Sequence, residues 1–338
     1  MIINFCILLS HIITEDYNVF KSREGVEIMK LHERFSTLSP IYSGELTNHM
    51  PMLITALRLL SVEDSEIEVI AEDYLEHKNI VDLSNSGIEN DAFNDEYIRL
   101  TNYFLGEINQ SNVEAVLKTM LNKNRFSLNS GLFHGLIRIA YGYMENNDLL
   151  IAQGLAYFEL IKQEMILNGK PVEDIYKAFE SLVEVRKKMD INDKSFGEKM
   201  EAIQKDGIIQ ESLFYPVNLI KHKEQAVKFF VQYFNLTEDF FILHVITGYH
   251  ALHILSQFFD NEEEVFENFF MQASIVMLGN AHNNYEEYTE KGNFVELNKK
   301  TPTLRDAHDI KLFLSLCYFY ERYEIEELKI AANLIFTI

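Results

Sequence analysis

The sequence predicts an all-α fold, a large multi-helix bundle, and three observations carry that prediction. Apolar residues recur at spacings of three and four almost throughout the chain, which is the period of a helix with one buried face. Only five prolines and 14 glycines interrupt that period in 338 residues, so few positions break a helix or demand a turn. No pair of segments alternates apolar and polar residues as a half-buried hairpin would.

Taken in order, the periodic segments are residues 45–60, 64–77, 92–108, 111–121, 128–144, 148–167, 172–189, 224–233, 238–259, 263–278, 303–320 and 325–336. His49 and Pro51 fall in the first turn of the first helix, where a proline costs no hydrogen bond. Ser111-Asn112-Val113-Glu114 has capping-box spacing, Thr237 precedes Glu238 and Asp239, and Thr301-Pro302-Thr303 opens the helix that carries His308. Residues 190–215, with Lys, Asp and Gly scattered through them, read as a connector or lid. No repeat of fixed period is visible.

The chain is 47% hydrophobic, enough to bury one large core or two moderate ones. Met29 offers an internal start, and the apolar stretch from Met1 to Ile13 lacks the basic flank of a signal peptide. A formal net charge of −22 repels phosphate backbones and anionic lipid headgroups, so no nucleic acid and no membrane is expected as a partner. Two cysteines, Cys6 and Cys317, make no disulfide framework and suit a reducing, cytoplasmic setting. Residues 240–259 carry no formal charge and are long enough to span a bilayer. They also hold His244, Thr247, Tyr249, His250, His253, Ser256 and Gln257, so they read as a helix buried in protein.

Motifs for common chemistries are absent. There is no GxGxxG after a strand, no GxxxxGK[ST], no GxSxG elbow and no CxxC pair. Histidines stand out instead. His49, His134, His244 and His308 lie in four separate apolar helical segments, and imidazoles brought inward from several helices are how a helical protein builds a metal site. A lone histidine on an apolar helix is more often a hydrogen-bonded core residue than a ligand, so the set carries more weight than its members. Lys311 follows His308 by three residues and emerges from nearly the same side of its helix. It is the only formal charge between Ile310 and Tyr320, so either a carboxylate such as Asp309 or Glu321 neutralises it or its chemistry is used.

Residues 42–60 (YSGELTNHMPMLITALRLL), 132–141 (LFHGLIRIAY), 243–255 (LHVITGYHALHIL) and 306–314 (DAHDIKLFL) resemble the motif blocks of the questin oxidase-like family, in the family's order. The resemblance covers most of the chain from about residue 37 onward and implies a single helical domain over residues 37–338 behind a 1–36 N-terminal extension. It implies a large helical enzyme related to fungal oxygenases that open anthraquinone rings, described as NADPH-dependent Baeyer-Villiger-type oxidases or as non-heme iron oxygenases. The histidine-centred blocks and the missing dinucleotide fingerprint fit the iron version better. Gly248-Tyr249-His250 is variable territory in the resemblance, so His250 carries over less securely than His244.

The expected chemistry is therefore Fe(II)-assisted activation of O2 on a small aromatic, polyketide- or quinone-like substrate, with NADPH as an alternative source of electrons. The expected ligands are His49, His134, His244, His308 and Lys311. An ammonium cannot ligate, so Lys311 enters as a carbamate, an anionic oxygen donor formed by adding CO2 to a desolvated amine. Tyr141, Thr247 and Tyr249 are candidates for contacts to substrate or to the ligands. The competing readings are a metal-free NADPH-dependent oxidase and a non-catalytic helical interaction module whose histidines are core residues.

Overall fold

The computed structural model describes residues 31–44, 46–84, 91–279 and 288–337. Residues 1–30, which include Met29, Cys6 and most of the expected extension, lie outside the described residues, as does Glu45.

Helices carry the fold, as the periodicity predicts. They are α1 (Met50–Leu59), α2 (Asp64–Glu76), α3 (Ala92–Gln110), α4 (Val113–Lys123), α5 (His134–Met144), α6 (Asp148–Ile161), α7 (Ile175–Arg186), α8 (Phe196–Lys205), α9 (Gly207–Ser212), α10 (Lys223–Thr237), α11 (Phe240–Leu255), α12 (Glu262–Gly279), α13 (Phe294–Asn298), α14 (Ala307–Tyr323) and α15 (Glu327–Ile335). Strands among the described residues form two small pairings, β1 (Ile41–Tyr42) antiparallel to β2 (Leu46–Thr47) and β3 (Lys170–Val172) parallel to β4 (Phe214–Pro216), and an isolated antiparallel bridge joins Leu38 to Asp82.

Several boundaries differ from the sequence reading, the expected 148–167 helix ending at Ile161 among them, and four of the differences have a clear local reason. The first helix starts at Met50 rather than 45, because Ser43 (φ 50°) and Gly44 (φ 90°) turn the chain back into the β1–β2 hairpin. The fifth begins at His134 rather than 128, because Gly131, Leu132 and Phe133 all take left-handed φ values of 56°, 56° and 65°, which a right-handed helix cannot contain. Residues 190–215 are not irregular: Ser195 and Glu198 form a capping box that starts α8, and Asp206 caps α9. The helix of His308 starts at Ala307, since Thr301–Thr303 is a separate 3-10 turn and Asp306 supplies the cap.

The buried apolar side chains form one contiguous cluster. Helix α11 runs through its middle, packed against α5, α10, α12 and α14, which explains why residues 242–252 are buried all round and carry no formal charge. No helix among the described residues is long and apolar enough to cross a membrane. Glycines let α5 and α6 approach backbone to backbone: a Cβ at Gly142 would lie 2.7 Å from the Ile151 nitrogen, and one at Gly154 would lie 2.8 Å from the Ile139 nitrogen. Helix α1 packs on both α5 and α14, so the starts of α1, α5, α11 and α14 come together at one end of the core.

Candidate metal centre

Each of the four histidines sits at or near the beginning of its helix. His49 is the residue that caps α1, His134 is the first residue of α5, His308 the second of α14, and His244 lies one turn into α11. Convergence of those starts brings one ring nitrogen from each histidine within 4.8 Å of all the others. The rings stand edge to face around the point where they meet, with centroids 4.8 Å apart for His49 and His134, 4.4 Å for His49 and His308, 4.8 Å for His134 and His244, and 5.1 Å for His244 and His308.

Which nitrogen faces inward follows from what the other one holds. His134 Nδ1 lies 2.6 Å from the Gly131 carbonyl oxygen, His244 Nδ1 lies 2.7 Å from the Phe240 carbonyl oxygen, and His308 Nδ1 lies 2.8 Å from Asp306 Oδ1. An Nδ1–H donating to an oxygen leaves Nε2 with a free lone pair, which is how outer hydrogen bonds orient metal-ligating imidazoles. The Nε2 atoms of His49 and His134 are 2.8 Å apart, and the Nε2 of the fully buried His244 has no hydrogen-bond partner. Lone pairs aimed at one another repel unless a proton or a metal cation lies between them. The strained turn before α5 thus has a use, because the Gly131 carbonyl that it exposes is the one that orients His134. Phe133 is held in that turn by packing on α11, where a Cβ at Gly248 would lie 2.7 Å from its ring.

Burial keeps the imidazoles neutral. Desolvation is the largest cause of the lowered pKa at His49, His134, His244 and His308, and the Lys311 charge lowers all four further. Asp306 works the other way at His308. Its carboxyl, hydrogen-bonded to the His308 ring, is itself held down to about 2. Neutral imidazole is the form that binds a metal.

Lys311 is fully buried, and its Nζ has no hydrogen-bond partner among the described residues. Asp309 and Glu321 do not neutralise it. Desolvation lowers its pKa to about 7, with the Arg138 charge adding to the effect against the pull of Asp306. Arg138 is a second buried cation, donating from a terminal nitrogen to the Asn48 carbonyl oxygen at 2.8 Å and lying over the Tyr157 ring. Helix starts carry partial positive charge, so four of them plus two buried cations make an electropositive pocket inside an acidic protein. A bare divalent cation would be opposed there, whereas a cation together with an anionic ligand would not.

The other sequence candidates are distributed differently. His250 stays out of the cluster, with its Nδ1 3.0 Å from the Ser315 hydroxyl and its ring against Tyr318. Tyr249 faces the opposite side of α11, packed among Phe230, Phe266, Phe269 and His253. The Thr247 hydroxyl donates back to the carbonyl oxygens of Leu243 and His244. Tyr141 is buried, its hydroxyl beside Ser315, and desolvation raises its pKa. Sequence reasoning missed Asp306, Arg138 and Tyr74, whose hydroxyl oxygen accepts the His49 N–H at 2.9 Å. Asp306 alone carried a signal, an acid two residues before a candidate ligand.

Fold and site together define an all-α protein with a buried four-histidine centre that could hold a metal ion. Comparison with models of known protein families and with curated proteins yields no match.

Asp306 separates two roles. Asp306→Asn keeps an N-cap acceptor and should retain thermal stability while metal affinity falls by about 10- to 100-fold. Asp306→Ala should lose both, with a further cost of about 1 kcal/mol in stability. Isothermal titration with a divalent metal and thermal melts of both variants check this, and equal metal affinity in Asp306→Asn and the parent would refute the orienting role.

Proposed function

We propose that this protein is a non-heme iron-dependent oxygenase of the cytoplasm, of questin oxidase-like type, acting with O2 on an aromatic, polyketide- or quinone-like substrate by Baeyer-Villiger-type or ring-cleaving oxidation. The observation that carries the reading is the convergence of four neutral imidazoles on one buried point, three with Nδ1 already committed to an oxygen. Bound Fe(II) would supply redox chemistry at a site with an open coordination position. The chain's own residues set the conditions for it. His49, His134, His244 and His308 supply the neutral nitrogen donors, and the outer oxygens of Gly131, Phe240 and Asp306 keep three rings oriented. Packing of α1, α5, α11 and α14 excludes water around them.

Lys311 completes the set as a carbamate in this reading. Its neutral amine adds to the carbon of CO2, a nitrogen–carbon bond forms as one carbon–oxygen π bond breaks and its electron pair moves to oxygen, and the nitrogen loses a proton to water. The product is anionic, so it removes one buried cation and places a negative oxygen donor in a pocket where helix starts and Arg138 favour negative charge.

Protein loaded anaerobically with Fe(II) is expected to consume O2 when offered members of a panel of polycyclic quinones, and a strong chelator should abolish turnover. Purified protein should contain stoichiometric metal. Full activity of metal-free protein with NADPH alone would overturn the iron assignment in favour of a metal-free NADPH-dependent oxidase, and absence of stoichiometric metal and of O2 uptake would favour a helical binding module.

A further inference from the structure

The cluster is closed on nearly every side. His244 and Lys311 are fully buried, His49 is 5% exposed and His134 6%, while the His308 side chain retains 18%. The path from solvent to the four Nε2 atoms therefore passes His308. The Phe240 ring stands there, its centroid 4.8 Å from that of His308 and 4.5 Å from that of His244. Phe240 is also 47% exposed, the one phenylalanine among the described residues with that much open surface. A single exposed phenyl is ordinary on a protein surface, and what distinguishes this one is its place against two of the candidate ligands.

Its backbone is held by hydrogen bonds while its ring is half exposed. Asp239 Oδ1 accepts the N–H of Phe241 at 2.7 Å and of Ile242 at 3.2 Å, and the Phe240 carbonyl oxygen accepts the His244 Nδ1–H. The neighbouring Phe241 ring is clamped, stacked on Phe196 at 3.6 Å and nearly parallel to it. The Phe240 ring instead meets the rings of Phe241, His244 and His308 edge to face, stacked on none of them. Rotation about its side-chain bonds would uncover the cluster without moving α11 or the carbonyl that orients His244, and exposed rotamers exchange far faster than helices open.

We infer that the Phe240 side chain is the gate through which metal ions and small ligands reach the four-histidine cluster. The inference rests on the reading of that cluster as a ligand site, and the test keeps the two apart. The other conceivable wall lies at Tyr42 and Lys78, whose ammonium is 5.4 Å from the Tyr42 ring and acts on the His308 charge, so Tyr42→Ala serves as the comparison.

Metal-free protein is treated with diethyl pyrocarbonate at neutral pH, and acylation of His134 and His244 is followed by peptide mass mapping. Phe240→Ala should accelerate acylation at both positions by about tenfold, Phe240→Trp should slow it, and Tyr42→Ala should leave it unchanged. Equal rates in Phe240→Ala and the parent, or an equal acceleration in Tyr42→Ala, would overturn the gate. So would faster amide hydrogen exchange along α11 in Phe240→Ala, because local unfolding would then explain the labelling. In a second arm, Fe(II)-loaded Phe240→Ala should bind the same amount of iron as the parent and release it to a chelator faster. Failure of the parent to take up iron would sink the oxygenase reading, while the acylation rates would still decide the gate.

Discussion

Lys311→Met is expected to give a folded protein that is more stable than the parent without metal and that retains almost none of the iron. The parent buries an amine whose pKa falls from 10.5 to about 7 with no hydrogen-bond partner for its nitrogen. A lysine that ionises less readily in the folded chain than in the unfolded one destabilises the fold below the unfolded value. At about 1.4 kcal/mol per pK unit, the penalty at neutral pH is on the order of 5 kcal/mol. Methionine is close in shape and carries no charge, so most of that penalty disappears. The advantage should shrink as pH rises toward 10.5, where the unfolded chain also releases the proton. Denaturant midpoints of metal-free protein at two pH values, with metal analysis of both forms, check the prediction. Full metal content and activity in the variant would rule out the carbamate, and a less stable metal-free variant would show that Lys311 is favourably held.

Mild acid should unfold the metal-free protein. Burial lowers the pKa of His32 to about 4, with the Arg58 charge contributing, and that of His250 to about 3, with Arg322 contributing. His253 and the four cluster histidines shift in the same direction. These groups stay neutral in the folded state while the unfolded chain takes up protons below 6.5, so the stability they contribute is present above 6.5 and lost as pH falls toward 4 and 3. Each costs about 1.4 kcal/mol per pH unit, or roughly 2 kcal/mol by pH 5, and several together rival a total stability of about 5–15 kcal/mol. Bound metal favours the folded state by mass action and should move the transition to lower pH. Circular dichroism against pH, with and without metal, reads this directly, and an unchanged signal from pH 6.5 to 4 in metal-free protein would contradict it.

The amino-acid sequence determined the helical class and the identity of the four histidines, because both are local statements. Apolar spacing of three and four specifies a helix wherever it recurs, and an imidazole inside an apolar helix is conspicuous without any knowledge of its neighbours. Lys311 was legible for the same reason, as one charge in a long apolar run. What sequence could not decide was direction around a helix and conformation between helices. His244 and His250 share one apolar helix, and the packing of α11 against α5 and α14 turns the first toward His134 and His308 and the second toward Ser315. Tyr249 is turned away by the same packing. The left-handed turn at Leu132 and Phe133 violates local preference and persists because the Phe133 ring is buried against Gly248, a contact between residues 115 positions apart that no local pattern encodes. The roles of Asp306, Arg138 and Phe240 arise likewise where helix starts from distant parts of the chain meet, since burial and field at a point depend on every element that surrounds it.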